Sequence, residues 1–124
     1  MTIAYICVLI AIFIPLVLAG YAKFSSKGYN NRTPREFLEK LQGKGKRAHF
    51  AQMNAYEAFA PFAAGVLIAH NAGAAQSQIN VLAVLFIVSR IIYSACYVYD
   101  QAALRTASWV AAFACIVGFF VISF

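Results

Sequence analysis

The chain has 124 residues, of which 63% are hydrophobic and only 11% charged, with a formal net charge of +6. Soluble domains are about half apolar and about 25% charged, and so short a chain could not hide this much apolar surface in one core. The composition therefore argues against a soluble globular fold and for one embedded in a bilayer, as a single domain with no repeat or low-complexity segment.

A helix that crosses the ~30 Å hydrocarbon layer needs about 20 mostly apolar residues. Within lipid each backbone polar group must be satisfied inside its own segment, so spans of this kind are helices. The first, at 3–22, is free of charge. A secretory signal carries basic residues at its amino end; Met1 and Thr2 supply none, while Lys23 and Lys27 follow the span, so it reads as a retained anchor. Residues 23–47 are the basic segment, with Lys23, Lys27, Arg32, Arg35, Lys40, Lys44, Lys46 and Arg47. Within it, Thr33 followed by Pro34 and by Glu36 three residues on has the form of a capping box with proline at the first helical position. A short surface helix from about Pro34 to Gln42 is expected, broken by Gly43 and Gly45. The second span, 48–70, contains Gln52, Asn54 and Glu57. The third, 79–99, contains Ser89, Arg90 and Ser94. A short link with Arg105 leads into the fourth, 105–124. The expected fold is all-α, an integral membrane four-helix bundle.

Eight of the ten Lys and Arg residues lie between the first two spans, and the connection Asn71–Gln78 has none. The positive-inside rule puts the basic loop in the cytoplasm and both termini on the other side. The positive charge is thus a topology signal, and anionic lipid headgroups are its natural partner. A nucleic-acid surface would need stacking aromatics on a platform, which the basic segment lacks, so no nucleic-acid partner is expected. Cys7, Cys96 and Cys115 all fall in spans, where a thiol acts as a small apolar group. No Cys/His cluster points to a metal.

Ionisable residues inside a span are costly and signal function. Glu57 lies nine residues into the second span and Arg90 nine before the end of the third. At about 1.5 Å rise per residue both sit roughly 13 Å deep, and the two are expected to pair. Asn54 shares a helical face with Glu57, with Gln52 and His49 nearer the water. Arg90, Tyr93 and Tyr97 form a second stripe, and Arg105 stands at the same end on the fourth helix. Alone, Tyr97 would read as part of an aromatic belt and Arg105 as a snorkelling anchor. Together the group is rich in donors, with one acidic acceptor, and suits a small ligand bearing carboxylates and one amine, with an apolar partner arriving from the lipid. The outer halves of the spans are apolar, which leaves no polar path for a channel or transporter.

The run Arg47-Ala48-His49-Phe50-Ala51-Gln52-Met53-Asn54-Ala55-Tyr56-Glu57-Ala58-Phe59 resembles the second-helix signature of the MAPEG family, the membrane-associated proteins of eicosanoid and glutathione metabolism. Asn31-Arg32-Thr33-Pro34-Arg35-Glu36-Phe37-Leu38 resembles the loop of small bacterial members. Arg90-Ile91-Ile92-Tyr93, Tyr97 and Leu104-Arg105 resemble the third- and fourth-helix signatures. The resemblance implies a homotrimer of four-helix bundles with glutathione bound between subunits near the cytoplasmic face. It implies that Asn54, Glu57, Tyr93 and Tyr97 hold the tripeptide and that Arg90 pairs with the acid or touches the ligand. It further implies that Arg105 stabilises the glutathione thiolate and that Lys23 meets a glutathione carboxylate from the neighbouring subunit. Two features depart from the eicosanoid synthases: Phe50 stands where they carry an arginine, and the Tyr97–Arg105 link differs in length and lacks proline.

The expectation that results is a glutathione-dependent transferase or peroxidase of the bacterial inner membrane, without a metal, acting on a lipophilic electrophile or hydroperoxide. A thiol of pKa ~8.5 is mostly protonated at neutral pH, and a neighbouring guanidinium favours the thiolate nucleophile. The alternative is a non-enzymatic membrane protein that binds a lipid or small anion, for which a closed Glu57–Arg90 pair without a cleft would speak.

Overall fold

In the computed structural model, which describes residues 1–124, every regular element is helical. The order is α1 Ile3–Phe24, α2 Pro34–Glu39, α3 Gly43–Asn71, α4 Gln76–Val98 and α5 Ala102–Val121. α1, α4 and α5 are each long and apolar enough to cross a membrane. α3 has 29 residues, yet its first half carries Lys44, Lys46, Arg47, His49, Gln52, Asn54 and Glu57, which lowers its apolar character. α1 packs on α3 and α4, and α5 packs on α4 and α3.

Only 29 of the 124 residues are buried, and the exposed set includes Ile12, Leu16, Val17, Leu85, Val88, Ile91, Val110 and Phe113. In water this surface would aggregate; against lipid tails it costs nothing. Helix association in lipid cannot draw on the hydrophobic effect and relies on close packing of small residues. The buried positions follow that rule, with Ala4, Ala11, Ala22, Ala48, Ala51, Ala69 and Ala83 on the inner faces. The large exceptions are Phe62, Phe86 and Phe119 at the centre, where Phe62 stacks on Phe86 at 3.9 Å between centroids. Gly65 leaves room for Phe119: a Cβ there would stand 3.0 Å from the ring. Gly65→Ala is therefore expected to destabilise the protein by about 1–3 kcal/mol through overpacking, measurable as a lower unfolding temperature in detergent.

The ends of the helices are tied by specific contacts. Thr2 Oγ1 accepts from the Tyr5 amide at 3.2 Å, and Asn80 Oδ1, on α4, accepts from the Ala4 amide at 3.1 Å. α3 closes with Gly73 in the left-handed region (φ 78°); the Gly73 amide donates to His70 O and the Ala74 amide to Ala69 O, a Schellman motif. α4 closes the same way with Asp100 at φ 60°, where the Asp100 amide donates to Tyr97 O and that of Gln101 to Cys96 O. Aspartate is one of the few side chains that tolerates this conformation, and the tight turn keeps α5 close to the end of α4.

The basic segment departs from expectation. Gly43 and Gly45 do not break a helix; they begin the next one, so α3 starts at Gly43 rather than near residue 48. Gly43 has φ 60°, a conformation that needs no Cβ, and this lets the chain turn sharply out of α2. Gly45 faces Ser25, whose side chain an added Cβ would strike. α2 ends at Glu39, and Thr33 occupies its N-cap without a side-chain hydrogen bond, so the capping box does not form. Glu36 pairs instead with Lys40 at 3.1 Å. Two of the basic residues act as caps: Arg47 Nε donates to Val98 O at 3.0 Å, and Lys46 Nζ donates to Glu39 O. Cations at helix C-termini complement the helix dipole, and they fasten α3 to α2 and α4 at one end of the molecule.

Candidate functional site

Three helices bring the polar residues together near this end. On α4, Arg90, Tyr93 and Tyr97 follow the helical repeat and share one face. The Arg90 side chain is buried at 3% exposure. Its Nη2 donates to Asn54 Oδ1 on α3 at 2.6 Å, and its guanidinium lies 4.3 Å from the centre of the Tyr93 ring. Tyr93 meets Tyr97 edge to face at 5.7 Å. The guanidinium of Arg105, in the first turn of α5, covers the Tyr97 ring at 4.6 Å. Asn54, Arg90, Tyr93, Tyr97 and Arg105 thus form one unbroken series of contacts. Hydrogen bonds to a charged partner contribute about 1.5–3 kcal/mol, and cation–π contacts add to this where water is excluded.

Glu57 does not join the series as expected. No ion pair links it to Arg90, and Lys40–Glu36 is the chain's single salt bridge. Equal depth does not suffice, because rotation about the helix axis decides contact. Asn54, one turn earlier on α3, takes the guanidinium, and the Glu57 side chain is left exposed on the surface of the chain. Pro61 adds a second free acceptor: it has no N–H to donate to the Glu57 carbonyl four residues before it.

Two cavities adjoin this arrangement. One, of about 330 Å³, is lined by Phe50, Met53, Asn54, Glu57, Tyr93 and Tyr97. The other, of about 190 Å³, has Asn54, Glu57 and Arg90 at its polar end and Phe86, Trp109 and Phe113 among its apolar walls. Asn54 and Glu57 border both. Phe50 lines the first with its ring 6.5 Å from that of Tyr97. Trp109 and Phe113 stack with their rings nearly parallel, 4° apart. Sequence reasoning missed this pair, although Arg105, Trp109 and Phe113 are spaced by four and share a face of α5.

Lys23 stands apart. It is in the last turn of α1, and its ammonium lies 5.1 Å from the centre of the Tyr29 ring. His49 and Gln52 also turn away from the cluster and line a separate cavity against α2. Cys7, Cys96 and Cys115 are free thiols.

Comparison with known proteins gives one match. The family model described as the MAPEG family fits residues 2–124, nearly the whole chain. No curated protein and no solved structure matches.

Proposed function

Since the chain belongs to the MAPEG family of membrane proteins, we propose that it is a glutathione-dependent transferase or peroxidase that activates the glutathione thiol for attack on a lipophilic electrophile or hydroperoxide. The observation that carries this reading is the series Asn54–Arg90–Tyr93–Tyr97–Arg105, set between a polar cavity and an apolar one. Glutathione has two carboxylates, one ammonium and a thiol. Tyr93, Tyr97 and a neighbouring subunit's Lys23 supply donors for the carboxylates, and Glu57 supplies an unpaired acceptor for the ammonium. The Phe86–Trp109–Phe113 side supplies an apolar surface for the second substrate.

In this reading Arg90 holds the scaffold through Asn54 and Tyr93, which leaves Arg105 as the cation free to stabilise a thiolate. Sulfur attacks the electrophile, the new bond to sulfur forms as the leaving group departs with its electron pair, and the two reactants are brought from different phases into one place. In this reading α3 also crosses the membrane, its polar first half shielded by neighbouring subunits. A homotrimer accounts for two features of the single chain. An exposed carboxylate at the depth of Glu57 would be costly against lipid, and a neighbouring subunit would cover it. Lys23 is distant from its own chain's series and is available to a neighbour's glutathione. The basic loop faces the cytoplasm of a bacterial inner membrane, with both termini opposite.

The open relation between Glu57 and Arg90 favours this reading over a non-enzymatic lipid or anion binder, for which a closed pair was the mark. The test is a glutathione titration of purified, detergent-solubilised protein, followed by calorimetry and by ultraviolet absorbance in the thiolate band. Saturable binding with a thiolate signal is expected. Glu57→Gln is expected to weaken binding by about tenfold or more, as loss of one charge-assisted contact does, with little change in unfolding temperature because Glu57 makes no internal ion pair. Absence of binding at millimolar glutathione would refute the proposal.

A further inference from the structure

The guanidinium of Arg105 makes no hydrogen bond or ion pair within the chain and only covers the Tyr97 ring. Its place is therefore decided by where the first turn of α5 begins. α5 does little to fix that start itself, since its N-cap, Gln101, makes no side-chain cap hydrogen bond. Only Tyr99, Asp100 and Gln101 separate α4 from α5, so the turn they form sets the position of Arg105.

That turn is built on the last carbonyls of α4. The Asp100 amide donates to Tyr97 O, the Gln101 amide to Cys96 O at 2.8 Å, and the Arg105 amide to Gln101 O at 2.9 Å. Asp100 holds φ 60°, a conformation that persists where the surroundings over-determine it. α3 contributes to this from outside. Arg47 Nε donates to Val98 O at 3.0 Å in a partly buried contact, and Val98 O is one of the carbonyls that a helix end leaves without an internal partner. Lys44, three residues earlier on the same side of α3, lies 4.8 Å from the centre of the Tyr99 ring.

Taking the thiolate role proposed for Arg105 as given, we infer that Arg47 is its positioning residue. Arg47 pins the end of α4, the Asp100 turn follows, and the first turn of α5 then carries Arg105 over Tyr97. Arg47 lines neither cavity of the site and acts only through the backbone.

Glutamine separates the hydrogen bond from the charge. Its side-chain nitrogen is as many bonds from Cα as the Nε of arginine, so Arg47→Gln retains a donor for Val98 O and discards the cation. Arg47→Leu discards both, and Arg47→Lys keeps a charge. Full-length protein in detergent would be read in two ways. Hydrogen–deuterium exchange of the segment 98–105 would be measured without glutathione, and the thiolate band and conjugation rate at neutral pH with glutathione. In Arg47→Leu the segment is expected to exchange about tenfold faster, as loss of a hydrogen bond to a charged group allows. The thiolate band is expected to weaken and kcat to fall about tenfold, with KM for glutathione within about twofold, because ligand contacts are untouched. Arg47→Gln is expected to restore all of these.

Unaltered exchange in Arg47→Leu would overturn the inference. Faster exchange with an undiminished thiolate band and rate would overturn it as well, since the turn would then not place Arg105. Recovery in Arg47→Lys but not in Arg47→Gln would assign the effect to charge and overturn it too. A wild-type protein that binds glutathione without a thiolate band would instead overturn the role proposed for Arg105, and the positioning role with it.

Discussion

Replacing Arg105 with alanine is expected to lower glutathione conjugation by about 10²–10³-fold, the usual effect of removing one preorganised group that stabilises developing or reacting charge. The two arginines differ in what holds them. Arg90 is buried, bonded to Asn54 and stacked on Tyr93. Arg105 is half-buried, has no hydrogen-bond or salt-bridge partner for its guanidinium, and is positioned only by its contact with Tyr97. It can turn its remaining donors toward a thiolate without abandoning a structural bond. The pH profile separates this role from mere binding. With Arg105 present, the thiolate persists below the ~8.5 of a free thiol. In Arg105→Ala the residual rate should climb with pH and follow ionisation of free glutathione, because the unassisted thiol gains its charge only as pH rises. Arg105→Lys should recover part of the low-pH rate, since an ammonium keeps the charge but not the planar fork. A variant that keeps full activity at neutral pH would remove Arg105 from the chemistry.

Asn54→Leu is expected to destabilise the protein by roughly 2–5 kcal/mol, the cost of truncating one partner of a buried, hydrogen-bonded charge. The leucine fills similar space but leaves the Arg90 guanidinium without its 2.6 Å acceptor in a buried position. The distinguishing measurement is a double-mutant cycle read by unfolding in detergent. Arg90→Met alone removes the charge and its desolvation cost together, and replacing a buried charge with an apolar residue is often close to neutral. The double variant, Asn54→Leu with Arg90→Met, should therefore be more stable than Asn54→Leu alone. If the two losses simply add, the contact between these residues does not hold α3 to α4.

The contrast between these two predictions reflects how the site could be read. That Arg90, Tyr93 and Tyr97 form one stripe follows from spacing alone, because an α-helix repeats every 3.6 residues. Asn54 and Glu57 share a face for the same reason. Which of the two meets Arg90 does not follow, because their Cβ directions differ around the helix and only the packing of α3 on α4 selects one. The glycines at 43 and 45 illustrate the same limit. Both are poor helix formers, and a local reading ends a helix there; in the folded chain Gly43 takes a left-handed turn and Gly45 lets α3 approach Ser25. Thr33 and Glu36 have the sequence of a capping box, but Lys40 competes for Glu36.

Composition and span length alone make the chain helical and membrane-embedded, because hydrocarbon admits helices whose backbones are self-satisfied and whose side chains are apolar. They also single out the candidate site residues, since so few polar groups lie in the spans and each is costly there. Tertiary structure decided the partners: Asn54 for Arg90, Tyr97 for Arg105, Val98 for Arg47, and none for Glu57, His49 Nδ1 or Gln52 Oε1. Periodicity sets the face a residue occupies, but the rotation and separation of packed helices set what that face meets. Those depend on interlocking of many small side chains at once.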